Sequence, residues 1–186
     1  MYCQIICAFK YGANYKTLFG GVFATYAPEV CISSKVVDYV CKGEGEEAVT
    51  EFCEKLITGG RIDDVKNFVV KGNGNIYRNN LRNAVDINTI PIPDWDLFEK
   101  GSIYRPMQGK IYRAVGFETQ RGCPYTCTFC NSPSNNVIYK AETKKIFHRK
   151  KSIKRMREEL DFLVKKYDPE LIYMVVDTFL AMSDRD

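Results

Sequence analysis

The sequence predicts an α/β fold in two parts, and three observations support this class. Residues 36–41 form an apolar, β-branched run that is typical of a strand buried on both faces. A helical pattern follows over residues 46–58 and ends at a glycine pair. The alternation returns near the end, where residues 152–167 predict an amphipathic helix and residues 171–176 a buried parallel strand.

Composition indicates a globular chain with a core. The 186 residues are 45% hydrophobic and 27% charged, with a net charge of +4. No apolar run reaches the roughly 18 residues of a membrane span, and the start does not resemble a secretory leader. We therefore expect reduced thiols and a cytoplasmic location. The basic stretch at residues 140–157 predicts a solvated helix face, or else a surface that neutralises an anion. Few aromatic residues interrupt it, which disfavours nucleic-acid binding.

The first part contains several local signals. A strand at residues 14–19 is expected to end at Gly20-Gly21, a turn that lets another group approach the backbone. Residues 27–34 favour a short helix or turn. The helix at residues 46–58 should bury an apolar stripe. Asn73-Gly74 predicts a hairpin between two β-like runs. The expected stripe consists of Val49, Phe52, Leu56 and Ile57.

A connector is expected over residues 84–110, because two prolines there disfavour a regular ladder. Trp95 and Phe98 should anchor it to a neighbouring surface. Residues 112–119 then predict a strand that leads into a loop with three cysteines. Together with the helix at 152–167 and the strand at 171–176, this strand forms a βαβ unit with a right-handed crossover.

Three cysteines, Cys123, Cys127 and Cys130, lie within eight residues in a C-x3-C-x2-C pattern. A structural zinc site needs four ligands, and the nearest spare donor is His148, the only histidine. An iron–sulfur cluster also usually takes four thiolates. Three ligands leave a position open on the metal, which is a feature of catalytic centres. The remaining cysteines are scattered, and Cys7, Cys41 and Cys53 are expected to be small buried hydrophobes.

The pattern resembles the cluster motif of the radical S-adenosylmethionine (radical SAM) enzymes, which has an aromatic residue where this chain has Phe129. The segment VVDTF at residues 175–179 resembles a strand end in the subclass that carries a cobalamin-binding domain. That strand end usually has two acids, but Val176 replaces the first, so only Asp177 carries over. Residues 18–52 resemble the end of a cobalamin-binding domain, and residues 87–98 resemble the connector to the barrel.

The resemblance implies a 4Fe–4S cluster on the three cysteines and S-adenosylmethionine on the fourth iron. Reductive cleavage would yield methionine and a 5′-deoxyadenosyl radical, in the service of a cobalamin-linked methyl transfer or rearrangement. Phe129 would shield the cluster and face the adenine, or else pack in the core. Asp177 would meet the cofactor's ammonium group, or else cap a helix. Gly20 and Gly21 would lie against the cobalamin tail.

The implied partners are a small-molecule substrate and an electron donor such as a flavodoxin or ferredoxin, with no nucleic acid and no membrane. The implied domains are the C-terminal part of a cobalamin-binding domain at 1–60, a hairpin and connector at 61–111, and the start of a radical SAM partial (β/α) barrel at 112–186. The first domain should be Rossmann-like. We expect a fragment of a longer protein that folds poorly and is inactive alone. The alternatives are an iron–sulfur electron carrier and a zinc-binding module without catalysis.

Overall fold

The structure is a computed structural model, and it describes residues 16–179. The chain divides into two compact units, Met1–Val85 and Asp86–Asp186. Both contain strands and helices, so the predicted α/β class is confirmed. Cys7 and the first two residues of the strand expected at 14–19 lie outside the described residues.

The first unit is built on a four-stranded sheet in the order β1-β2-β3-β4. Strands β1 and β2 are parallel, and the other two pairs are antiparallel. The predicted hairpin joins β3 and β4, and Asn73 and Gly74 have the positive φ angles of 50° and 76° that such a turn requires. The strands are β1 (Leu18–Phe19), β2 (Tyr39–Cys41), β3 (Phe68–Gly72) and β4 (Asn75–Arg78).

Three helices accompany this sheet: α1 (Val22–Tyr26), α2 (Pro28–Ser33) and α3 (Glu46–Thr58). The predicted bounds of α3 are confirmed, and Gly59 ends it with a left-handed φ of 70°.

The predicted burial of α3 is wrong in its second half. Leu56 is 47% exposed, Ile57 is 85% exposed, and Cys53 is also exposed. The helix buries mainly its first two turns, where the small Ala48 takes a core position and Phe52 stacks on Phe68 at 4.4 Å between ring centroids. Cys41 is buried as predicted.

The second unit contains the predicted βαβ unit, but the strand expected at 171–176 ends at Met174, and its predicted burial is wrong because Tyr173 and Met174 are exposed. Strands β6 (Lys110–Phe117) and β9 (Leu171–Met174) are parallel neighbours, and helix α5 (Ile153–Tyr167) connects them. The Ser152 hydroxyl caps this helix by accepting a 3.2 Å hydrogen bond from the Arg155 backbone N–H. The core between helix and strands consists of Val115, Phe117, Met156, Leu163 and Tyr167.

The structure adds elements that the sequence did not predict. The end of the expected connector is a strand, β5 (Tyr104–Met107), which forms a hairpin with β6. A helix, α4 (Ser132–Thr143), follows the cysteine loop, and a short ribbon pairs β7 (Gln120–Arg121) with β8 (Arg149–Lys150). The basic stretch at 140–157 therefore spans three elements and is not one solvated helix face.

Nearly all of the expected connector belongs to the second unit, and Trp95 anchors it to the core there, as predicted. Trp95 lies beside the core of α5 and β6, and its backbone N–H donates a 3.0 Å hydrogen bond to the Tyr167 hydroxyl. Asp94 accepts hydrogen bonds from Lys166 and Tyr167, and the Lys166 ammonium group holds the pKa of this carboxyl below its usual value. Phe98 is 62% exposed, so its predicted role as a second anchor is wrong.

Within residues 16–179, no helix combines the length and the apolar character that a bilayer span requires.

Candidate cofactor-binding site

The three cysteines lie on the loop between β7 and α4, shortly after the carboxyl end of the parallel strand β6. Cys123 is half-buried, Cys127 and Cys130 are exposed, and all three thiols are free. Among the described residues, no three His, Cys, Asp or Glu side chains are grouped closely enough to hold a metal ion. The donor chemistry fits an iron–sulfur centre, but the loop does not bring the thiols together in this conformation.

Local backbone contacts fix the second and third cysteines relative to each other. The Cys130 backbone N–H donates a 3.2 Å hydrogen bond to the Cys127 carbonyl. The Ser132 backbone N–H in turn lies 3.4 Å from the Cys130 sulfur. An N–H that points at a cysteine sulfur is one of the contacts that tune iron–sulfur centres.

Asp177 follows β9 and lies next to the start of α4. The Ser132 hydroxyl donates a 2.8 Å hydrogen bond to its Oδ2 atom, and Ser132 is only 7% exposed. This bond brings the predicted cofactor carboxylate together with the residue that contacts Cys130. The alternative of a helix cap for Asp177 concerns residues after Phe179, which lie outside the described part of the chain.

Asn136, one turn further along α4, contacts the first cysteine. Its side-chain amide donates a 3.2 Å hydrogen bond to the Cys123 carbonyl. Its Oδ1 atom accepts hydrogen bonds from the backbone N–H groups of Phe147 at 2.9 Å and His148 at 3.2 Å. Residues of α4 therefore contact Cys123, Cys130 and Asp177, and Cys130 is also held by its backbone hydrogen bond to Cys127.

Gly122 precedes Cys123 and must remain a glycine in this packing. Its φ is +80°, and a Cβ atom built there would lie 2.9 Å from Phe147 Cδ1 and 3.1 Å from His148 Cα. The segment before β8 therefore packs directly against the base of the cysteine loop.

The structure removes one of the two alternatives for Phe129 and places His148 partly inside the unit. Phe129 is 92% exposed, which excludes core packing and leaves its ring on the surface of the loop. The Nε2 atom of His148 is buried and has no hydrogen-bond partner among the described residues. Burial and the neighbouring Lys150 lower the pKa of His148, so the imidazole is neutral near pH 7.

A buried ion pair supports the ribbon beneath the loop. Lys151 Nζ lies 2.7 Å from a carboxylate oxygen of Glu159, and both side chains are almost completely buried. The Lys151 backbone N–H donates to the Thr119 carbonyl, and the Gln120 side-chain amide donates to the Thr178 carbonyl. These contacts join the ends of β6 and β9 to the start of α5.

Gly20 and Gly21 lie in the first unit, after β1. Gly21 has a φ of 91°, and a Cβ atom built there would have nothing within 4 Å, so the backbone faces open space. The Thr25 hydroxyl accepts a 2.9 Å hydrogen bond from the Gly43 N–H and so links this turn to the loop after β2. The carboxyl ends of the two parallel strands thus form one edge with an accessible backbone.

Sequence reasoning missed Ser132 and Asn136. A proline in the first turn of α4, Pro133, was a usable signal for this helix, since proline favours that position. No sequence pattern indicated which polar side chains of α4 contact the cysteine loop.

Two solved structures similar to this chain are a cobalamin-dependent radical SAM enzyme and a radical SAM methyltransferase with cobalamin bound. The structure of OxsB with aqua-cobalamin and S-adenosylmethionine bound matches 90% of this chain and 22% of its own, with a TM-score of 0.62 and 22% identity. TsrM from Kitasatospora setae, a radical S-adenosylmethionine methyltransferase with cobalamin and a 4Fe–4S cluster bound, matches 88% of this chain and 31% of its own. Its TM-score is 0.55, with 16% identity.

Two curated proteins are similar in sequence. An uncharacterized methyltransferase of Pyrococcus horikoshii is 30% identical over 179 residues, which cover 92% of this chain and 35% of that protein. The anaerobic magnesium-protoporphyrin IX monomethyl ester cyclase of Rubrivivax gelatinosus is 26% identical over 159 residues, or 82% of this chain and 26% of that protein. The chain thus spans about a third and a quarter of these relatives. No family model matches the sequence.

The fold and the loop together define a class of protein: an α/β chain that carries three cysteines on a loop after the carboxyl end of a parallel strand. Structural neighbours across about nine-tenths of the chain carry the same fold and are cobalamin-dependent radical SAM enzymes. The predicted resemblance to the cobalamin-binding radical SAM proteins is therefore confirmed.

Proposed function

We propose that this chain carries the cluster-binding loop of a radical SAM enzyme, with Cys123, Cys127 and Cys130 as the ligands of a 4Fe–4S cluster. The observation that carries this proposal is the set of three free thiols at the carboxyl end of β6, with an N–H group directed at one sulfur. When bound, such a cluster supplies the electron that cleaves S-adenosylmethionine to methionine and a 5′-deoxyadenosyl radical.

The residues around the loop have roles that follow from their chemistry. Asp177, oriented by Ser132, would accept hydrogen bonds from the ammonium group of S-adenosylmethionine. Phe129, which is exposed on the loop, would cover the cluster and contact the adenine ring, excluding water from both. The Ser132 N–H would donate a hydrogen bond to the Cys130 sulfur when this cysteine is a cluster ligand.

The first unit would bind cobalamin at Gly20 and Gly21. The open backbone at Gly21 supports this assignment, because a flat cofactor tail can lie there without meeting a side chain. The overall reaction would then be a methyl transfer or a rearrangement that uses cobalamin. The reaction would also need a small-molecule substrate and an electron donor such as a flavodoxin or ferredoxin. Free thiols require a reducing compartment such as the cytoplasm.

The test is anaerobic reconstitution of the 186-residue chain with iron and sulfide. We expect close to four irons per chain and a change in the electron paramagnetic resonance signal of the reduced cluster on addition of S-adenosylmethionine. Cys127→Ala should lose the cluster. Cys53→Ala is the matched control, because Cys53 is also exposed but lies on α3.

Three outcomes would overturn the proposal in different ways. Retention of tetrahedral zinc after anaerobic reducing purification would identify a zinc-binding module. If the spectrum of the reduced cluster did not change on addition of S-adenosylmethionine, the protein would be an electron carrier. Equal iron content in Cys127→Ala and wild type would exclude the three-cysteine loop as the ligand set.

A further inference from the structure

We propose that Asn136 is a positioning residue that anchors the Cys123 backbone to α4, so that only the rest of the loop has to move to bring the three thiols onto a cluster. This inference rests on the proposed function. A three-thiolate centre requires that all three ligand backbones hold a defined geometry. Cys127 and Cys130 are joined by a direct backbone hydrogen bond, and the Ser132 N–H contacts the Cys130 sulfur. Both contacts are local to the loop and to the first turn of α4.

Cys123 has no such local support among the described contacts. Pro124 follows it and has no N–H to donate. Gly122 precedes it in a left-handed conformation with a φ of +80°. The contact that ties the Cys123 backbone to the rest of the unit is the 3.2 Å hydrogen bond from the Asn136 side-chain amide to the Cys123 carbonyl.

Asn136 also fixes the segment on which the loop rests. Its Oδ1 atom accepts from the N–H groups of Phe147 and His148, the residues that pack against Gly122. The half-buried Asn136 side chain therefore binds the Cys123 carbonyl from α4. It also binds the backbone of residues 147–148, which pack against Gly122. Donor and acceptor are both used, so neither aspartate nor leucine can replace the amide fully.

The experiment measures iron retention rather than turnover. Wild-type chain and variants are reconstituted anaerobically, and loss of iron to an excess of chelator is followed optically. We expect Asn136→Ala to lose iron about tenfold faster than wild type, as is common when a contact behind a metal ligand is removed. Asn136→Asp keeps the acceptor for residues 147–148 but loses the donor to Cys123, so it should also lose iron faster.

Asn88→Ala is the matched control. Asn88 Oδ1 accepts a 2.7 Å hydrogen bond from the Ser152 N–H at the start of α5, and it does not contact the cysteine loop. Its replacement should lower the melting temperature of the second unit but leave iron retention unchanged. The midpoint potential of the cluster is a second measurement, and it should shift in the two Asn136 variants and not in Asn88→Ala.

The results separate this inference from the proposed function. A wild-type chain that binds no iron would overturn both. If Asn136→Asp lost iron no faster than wild type, the positioning role would be overturned and the cluster assignment would stand. Equally fast iron loss in Asn88→Ala and Asn136→Ala would also overturn it, because general destabilisation would then account for the effect.

Discussion

The Ser132 hydroxyl lies 2.8 Å from Oδ2 of Asp177, and this hydrogen bond joins the first turn of α4 to the segment that follows β9. The same residue directs its backbone N–H toward the Cys130 sulfur. Ser132 thus connects Cys130 with Asp177, which lie 47 positions apart in the sequence. Removal of the Ser132 hydroxyl should release the Asp177 carboxylate from the loop and leave the three cysteine side chains unchanged.

We expect Ser132→Ala to destabilise the second unit by about 0.5–1.5 kcal/mol, since a hydrogen bond between a buried hydroxyl and an exposed carboxylate is lost. The measurement is urea unfolding followed by tryptophan fluorescence, because the single tryptophan, Trp95, lies in this unit. Ser134→Ala, on the same helix but exposed, should change stability by less than about 0.5 kcal/mol. Equal effects of the two substitutions would contradict the role of the Ser132–Asp177 bond.

Gly122→Ala should destabilise the second unit more than Gly109→Ala. Both glycines have left-handed φ angles, +80° and +78°, so both alanines carry backbone strain of about 1 kcal/mol. Only at Gly122 would the new Cβ meet Phe147 and His148, which adds roughly 1–3 kcal/mol of overpacking. The comparison again uses urea unfolding, and a smaller loss in Gly122→Ala would show that residues 147–148 do not pack there.

Removal of one partner of the buried Lys151–Glu159 pair should be costly. Glu159→Leu leaves both Lys151 and Arg155 without their carboxylate, so we expect a loss of about 3–5 kcal/mol. Lys151→Met should cost less, because Arg155 still lies 3.7 Å from Glu159. The double variant should recover part of the loss. Additive losses in this double-mutant cycle would mean that the two groups do not interact.

The thiols should differ in alkylation. Burial raises the pKa of Cys41 to about 11, and its side chain is 5% exposed, so its thiolate is scarce and inaccessible. We expect iodoacetamide at pH 8 to modify Cys53, Cys127 and Cys130 at least about tenfold faster than Cys41, with sites resolved by peptide mass spectrometry. Rapid labelling of Cys41 would mean that the first sheet opens in solution.

The sequence by itself predicted the α/β class, the bounds of α3, the Asn73-Gly74 hairpin, the βαβ unit and the resemblance carried by the cysteine loop. These features depend on short-range patterns: periodicity, caps, turn residues and ligand spacing. Prediction was weaker where burial depends on distant neighbours. The exposed second half of α3 and the exposed Phe98 are examples, because an apolar stripe does not specify how far a sheet extends beneath it.

Only the tertiary structure decided which polar side chains surround the loop. Ser132 and Asn136 lie on a helix with weak periodicity, and their partners Asp177, Phe147 and His148 come from other segments. Lys151 belongs to a run of surface-like charges, yet the packing of the β7–β8 ribbon on α5 buries it against Glu159. Such contacts depend on how whole elements pack, and the free energy of that packing is shared among residues far apart in the chain.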